Sequence, residues 1–321
     1  MENVKHPMFN WIPIKLVENE NKIYFEWIYL SDLKIIDPFF DDTLAKCRSF
    51  AQNSTRFKVV STVENLIQWS EELESVELKG LVFHVSRCGS TMLSQSLASS
   101  EENIMISEAS ILDQILRSEI LSLAAKSQVL KSVIRLLAHK RFSQQKNTIL
   151  KLDAWSIFKV DYLRKVFPEI PFALLYRNPA EVLRSHQKMS GMHMVPNIIP
   201  ASVFGIKKNE MQELSLPQYR ALVLEKYFKA FLDFYRKHNN VTLLNYNDGM
   251  KNVVEKFISF ASLQYSDEET NIMLERLTKH SKNENVVFCG DSYEGDAVLA
   301  NLANVNAVHE KLNAVYAGNP V

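Results

Sequence analysis

Short apolar runs separated by stretches of helical periodicity organise most of this chain. From Gly80 onward the runs at 81–85 (LVFHV), 104–107 (IMIS), 149–153 (ILKLD), 171–176 (PFALLY) and 241–246 (VTLLNY) are continuous rather than alternating. That is the pattern of strands covered on both faces. Helical spacing fits 90–99, 110–124, 127–140, 155–167, 179–189, 217–238, 249–262 and 267–281. The alternation predicts an α/β fold, a parallel β-sheet flanked by helices. Residues 190–216 (SGMHMVPNIIPASVFGIKKNEMQELSL) show no period and carry two prolines. A segment of that length inside a compact domain reads as a lid or binding loop.

The amino-terminal part follows a different pattern. WIPIKLV (11–17) and IYFEWIYL (23–30) are strand-like and separated by a polar turn, ENENK, of hairpin length. A helix is expected from about Asp41, then a short strand and a helix within FKVVSTVENLIQWSEELESV. Residues 1–78 are therefore read as a small α+β unit and 79–321 as the main domain.

Composition narrows the function classes. The 37 basic and 37 acidic residues balance, so the basic excess of a nucleic-acid-binding surface is absent. Three cysteines without C-x-x-C spacing give neither a disulfide framework nor a zinc site, which fits a reducing compartment. No apolar run has the length of a signal peptide or a membrane span. The expectation is a cytoplasmic enzyme or binding protein that contacts neither membrane nor nucleic acid.

The candidate chemistry begins at 83–94, FHVSRCGSTMLS. A strand runs through a small-residue turn into a helix. Aligned with G-x-x-x-x-G-K-[ST], Gly89 takes the second glycine, Ser90 the lysine, Thr91 the magnesium-holding hydroxyl, and His84 the first glycine. The anion-binding physics survives these changes: a glycine for close backbone approach, amides at a helix amino terminus, and the fixed charge of Arg87. Cys88, beside that charge and the helix terminus, is expected to be a modifiable thiol that a ligand protects. A second junction, LYRNPAEVLRSH (175–186), places Arg177 at a strand's carboxyl end, Asn178-Pro179 at a helix entry and Ser185 two turns further on.

The two junctions together resemble the sulfotransferases that use 3′-phosphoadenosine 5′-phosphosulfate (PAPS), a family with a P-loop-like fold. HVSRCGSTML resembles the family's 5′-phosphosulfate loop, with Ser86 where proline is usual. Arg177 and Ser185 match its 3′-phosphate motif. The resemblance covers roughly residues 80–260. It implies PAPS as donor, 3′-phosphoadenosine 5′-phosphate (PAP) as product, and a small-molecule hydroxyl or amine as acceptor. Arg87, Cys88, Gly89, Ser90, Thr91, Met92, Arg177 and Ser185 would bind the donor, with no metal.

The proton acceptor has several candidates. Glu108, after the strand IMIS, comes first, because several branches of the family place a glutamate there; it equally suits the cap of the helix near Ser110. Asp153 stands where cytosolic members carry histidine, and it too suits a helix cap. Lys151 matches the family lysine and would stabilise the bridging oxygen alongside Arg87, or would form a salt bridge. His186 and His193 complete the list. Residues 286–319 lie where the family often folds a cofactor-covering loop. Two other readings stand: a P-loop kinase using ATP and magnesium, with Asp153 ending a Walker B-like strand, and a nucleotide-binding module without transfer activity.

Overall fold

The computed structural model describes residues 6–20, 22–280, 283–287 and 302–318. The amino-terminal sheet is antiparallel, with strands β1 (Trp11–Asn19), β2 (Lys22–Tyr29) and β3 (Val59–Thr62) in that order. Its register shifts between Pro13 and Lys15, where proline has no amide to give the ladder. Trp27 is buried and donates from its indole nitrogen to Ser61 Oγ at 2.9 Å. Helices Phe40–Cys47 and Val63–Glu72 accompany the sheet, the second capped by Thr62.

The larger sheet is parallel and has five strands: β4 (Leu78–His84), β5 (Asn103–Ser107), β6 (Asn147–Lys151), β7 (Phe172–Tyr176) and β8 (Val241–Asn245). Their spatial order is β5-β6-β4-β7-β8. β5, β6 and β7 are buried along their whole length, which is why their sequences show no alternation. Chain order reverses at β4, so its carboxyl end lies where open α/β sheets take their ligands.

The residues group into two compact units. The first comprises 1–81, 94–152 and 263–276; the second comprises 82–93, 153–262 and 277–321. In the first, the helix expected over 110–124 ends at Arg117, and the one expected over 127–140 runs from Leu123 to Leu137. Serines cause the break: Ser118 Oγ accepts from the Leu121 amide and donates to Glu18, while Ser122 caps the second helix at Ala125. In the same unit β1 is tied to the first of these helices, since the Leu16 amide donates to Gln114 Oε1 at 2.8 Å.

In the second unit the segment read as an unstructured lid is built of short turns, Met192–Met194, Ala201–Phe204 and Lys208–Gln212. Met194, Ile199, Phe204, Ile206 and Met211 are buried. The long helix Leu216–Lys237 follows, entered through a capping box of Ser215 and Gln218. The helix expected over 267–281 ends at Arg276, and Lys279–His280 begins a ribbon with Asn283–Val287, β9 and β10. Residues 302–316 form a helix rather than a covering loop. Cys289, Gly290 and Gly295, which that expectation included, lie outside the described residues.

One side chain joins the starts of β7 and β8. Arg164 is buried, its ring-facing guanidinium 3.8 Å from the Phe172 centroid. Its Nη1 donates to the carbonyls of Phe167, Pro168 and Ile170, and its Nη2 to that of Asn240. Arg164→Met keeps the apolar bulk and strips these carbonyls of their donor. It is expected to cost about 3 kcal/mol and to lower the thermal midpoint by roughly 5–10 °C, measured by circular dichroism melting.

Candidate active site

The loop between β4 and the helix Ser90–Ala98 is contorted in a way its residue types do not favour. Ser86 (φ 64°), Arg87 (φ 52°) and Gly89 (φ 83°) all lie in the left-handed region. Two of these are not glycine, and such backbone is held only where the surroundings over-determine it. The restraints are visible. The buried His84 ring accepts from the Ser86 amide at 3.1 Å. The Val85 amide and the Cys88 thiol both donate to the Leu175 carbonyl, at 3.3 and 3.4 Å. Left-handed backbone ahead of a helix amino terminus turns successive amides toward one concavity, the geometry of an anion nest.

Gly89 has a second reason to be glycine. A Cβ there would sit 2.5 Å from Tyr246 Cδ2 and 2.8 Å from Met250 Sδ. Cys88 departs from the expectation of a reactive thiol. Its side chain is buried and aimed at the Leu175 carbonyl, so it contributes to the concavity only through its amide. Ser90 and Met92 are likewise buried, whereas Arg87 and Thr91 are half-buried.

The second junction meets the first. Arg87 Nε donates to Ser185 Oγ at 2.7 Å, and Arg177 Nη1 donates to the Arg87 carbonyl at 3.4 Å. Asn178 caps the helix Pro179–Lys188 by accepting from the Ala180 and Glu181 amides. Arg177, itself buried, donates from Nε to Glu181 Oε2 at 2.6 Å and lies 4.2 Å from the Tyr246 ring centroid. Arg87, Arg177 and Ser185 therefore come together although the sequence separates the two junctions by 90 residues.

Sequence reasoning missed Tyr246, Asn247 and Glu181. Tyr246 packs against Gly89 and Arg177 at once. Asn247 Oδ1 accepts from the Asn178 amide at 3.1 Å and its Nδ2 donates to Glu181 at 3.4 Å. The signal lay in NYND at the carboxyl end of β8, a third strand end on the ligand-binding edge of the sheet. There Asn245 turns the chain by accepting from the Asn247 amide.

The carboxylate candidates fall into different settings. Glu108 has φ 58°, and its amide donates to the Lys151 carbonyl at 2.7 Å. Its Oε1 lies 3.0 Å from Nζ of Lys151, which is 1% exposed and 5.2 Å from the Phe39 centroid. The pair joins the ends of β5 and β6. Asp153 takes the amino-cap position of the 3₁₀ turn Ala154–Lys159 but makes no side-chain cap bond. Its charge, after burial and Tyr219, helps hold the Tyr227 phenol well above its ordinary range.

His186 and His193 are both buried, with ring centroids 5.4 Å apart and nearly perpendicular. Nδ1 of His186 accepts from the Gly191 amide at 3.1 Å. Burial, followed by the charges of His193, Arg87 and Arg220, pulls His186 down to about 2. A neutral ring whose Nδ1 is an acceptor carries its proton on Nε2. Among the described residues no cluster of three His, Cys, Asp or Glu side chains is placed to hold a metal, and no helix is long and apolar enough to cross a membrane.

No family model matches the chain, and no curated protein sequence matches it. Among solved structures it is similar to a sulfotransferase, STF9, from Mycobacterium avium, at 11% identity and a TM-score of 0.47 over 81% of each chain. It is also similar to the sulfotransferase domain of the curacin biosynthetic pathway, at 13% identity and a TM-score of 0.44 over 75% of this chain and 99% of that one. A third is mouse sulfotransferase SULT7A1 complexed with PAP, at 10% identity and a TM-score of 0.40 over 83% of this chain and 95% of that one.

Buried neutral histidine makes stability pH-dependent. With His186 held near 2 against an ordinary value of 6.5, the unfolded chain binds the extra proton at every pH between them. Stability is therefore complete above about 6.5 and falls as pH drops below it, by up to about 1.4 kcal/mol per unit for one group. Burial pushes His139 and His309 the same way. Denaturant midpoints are expected to fall between pH 7.5 and 5, with a shallower slope in His186→Asn.

Proposed function

We propose that this protein is a sulfotransferase that moves a sulfuryl group from PAPS to a hydroxyl or amine of a small-molecule acceptor, in the cytoplasm. The observation that carries the proposal is the Arg87–Ser185 hydrogen bond together with the approach of Arg177 to the Arg87 carbonyl. One junction resembles a phosphosulfate loop and the other a 3′-phosphate site, and a donor bearing both groups needs the two side by side.

The residues fit such a donor. The left-handed turn at Ser86, Arg87 and Gly89 supports an amide nest, and Gly89, Ser90, Thr91 and Met92 begin the helix whose amino terminus favours an anion. Arg87 adds a charge in reach of the same concavity. Arg177 is held ready by Glu181 and by the Tyr246 face, and with Ser185 it would take the 3′-phosphate. The donor supplies the sulfuryl group. As the acceptor oxygen bonds to sulfur and the phosphate–sulfate bridge breaks, the chain must position both partners and accept one proton.

For the proton we infer Asp153 rather than Glu108. Glu108 is the counter-ion of the buried Lys151, and a proton added there would leave that ammonium unpaired, which is costly in the interior. A kinase reading draws no such support, because Ser90 occupies the position of the phosphate-binding lysine.

Calorimetric titration with PAP tests the donor site. Metal-independent binding is expected, weakened about 100-fold, or roughly 2.7 kcal/mol, in Arg177→Ala. Binding of ATP with magnesium in place of PAP would overturn the proposal. The proton acceptor is tested separately, by kcat. Asp153→Asn is expected to lower kcat at least 100-fold with PAP affinity unchanged, whereas Glu108→Gln is expected chiefly to lower stability; the reverse pattern would return the role to Glu108.

A further inference from the structure

The parallel ladder between β7 and β8 ends at the pair Tyr176 and Asn245. Arg177 and Tyr246 are the first residues beyond it, and both belong to the candidate donor site. Backbone pairing sets register within a ladder; past its end, side chains must hold the two segments in place. The turn Tyr246–Asp248 sends its three side chains to different elements. Tyr246 lies against Arg177 and fills the space beside Gly89. Asn247 accepts from the Asn178 amide. Asp248 Oδ2 accepts from the hydroxyl of Tyr316, at the end of the helix Leu302–Tyr316. All of these residues lie in the second unit.

That helix is anchored independently of the turn. Val305 and Leu312 are buried, and the helix packs on Leu216–Lys237 and Pro179–Lys188. His309, Asn313 and Tyr316 recur at i, i+4 and i+7, which sets them along one stripe. The stripe meets Tyr176, the last residue of β7. The Tyr176 hydroxyl donates to Asn313 Oδ1 at 2.8 Å. Its ring meets those of His309 and Tyr316 edge to face, with centroids 5.8 and 6.3 Å away. One helix thus holds the residue before Arg177 through Asn313, and the second residue after Tyr246 through Tyr316.

Tyr316 is equipped to hold rather than to react. Nζ of Lys256 lies 3.9 Å from its ring centroid. Burial and the bond to Asp248 push its phenol up to about 12, so it keeps its proton and donates at neutral pH. Local bonds shape the turn it reaches: Asn245 Oδ1 accepts from the Asn247 amide, and the Tyr246 carbonyl from the Gly249 amide, both at 3.0 Å. Those bonds close the turn on itself and leave its direction to ties from outside. Asp248 is exposed, so its bond to Tyr316 adds little to folding stability and acts on placement instead.

We propose that Tyr316 is a positioning residue of the donor site: with Asn313 it clamps the ends of β7 and β8 to one helix, and so fixes how Arg177 and Tyr246 stand toward the bound anion. The role toward a donor rests on the reading of this site as a PAPS site; the clamp itself rests on the contacts to Asp248 and Tyr176.

Tyr316→Phe removes the hydroxyl and keeps the ring against Lys256 and Tyr176. Without ligand, hydrogen exchange at the Asn247 and Gly249 amides is expected to quicken about fivefold. The helix Leu302–Tyr316 should stay protected and the thermal midpoint should hold within about 2 °C. Calorimetric titration is expected to show PAP bound about fivefold more weakly. Asp248→Asn keeps an acceptor for the hydroxyl, and Asp248→Ala, of the same charge, does not; the second should bind PAP about fivefold more weakly than the first. In the Asp248→Ala background, Tyr316→Phe should have no further effect. Exchange and PAP affinity both unchanged in Tyr316→Phe, effects that add in the double variant, or a weakening that follows a fall in midpoint would each overturn the role. PAP binding by the parent with equal affinity in Tyr316→Phe sinks the positioning role and spares the donor site. A parent that does not bind PAP sinks the donor reading, and quicker exchange in Tyr316→Phe would then still establish the clamp.

Discussion

The hydrogen bond from Arg87 to Ser185 is the contact on which the candidate site depends. It joins a turn after β4 to a helix that begins at Pro179, some ninety residues later. His84 and the Leu175 carbonyl also restrain the left-handed backbone around Ser86 and Arg87. Through the bond to Ser185, the guanidinium that charges the loop is oriented by the helix that carries the second anion motif. The carbonyl of the same Arg87 receives Arg177. Two cations that would repel in an open site are thus separated by backbone and by Glu181, and each is aimed by the other's element. The cost of left-handed backbone at two non-glycine residues is offset by this convergence, which is where strained backbone is characteristically found.

Much of the fold was legible because the strands are buried on both faces. β5, β6 and β7 read as uninterrupted apolar runs, and the flanking helices as periodic ones. Two successive helices after Ser110 were legible, but the break between them falls at Ser118–Ser122 rather than after 124, because side-chain acceptors stop the chain there. The segment 190–216 looked formless because its turns are only three to five residues long, too short to show a period, yet it buries Met194, Phe204 and Met211. Arg177 and Ser185 could be read because spacing alone places them. Tyr246 could not: it looked like the last apolar residue of β8, and only the tertiary fold brings its ring under Gly89.

The aromatic ring of Tyr246 also explains how the two anion motifs keep a fixed separation. It fills the space that a side chain at residue 89 would need and lies against the Arg177 guanidinium. The Tyr246 ring is therefore one planar surface shared by both junctions of the candidate site rather than a set of adaptable side chains. Such a surface preorganises the cations at little conformational cost, since an aromatic side chain has few rotamers to lose.

The ring of Phe39 over Lys151 carries a different implication. Phe39 lies in the connection between β2 and β3 of the amino-terminal sheet, and β1 and its Glu18 bond to the helix Ser110–Arg117 and to Ser118. The first eighty residues thus supply a wall to the ammonium that β6 presents. Taking away the Phe39 ring would open to water a face of that ammonium, so the amino-terminal segment helps set the dielectric in which the Lys151–Glu108 pair sits.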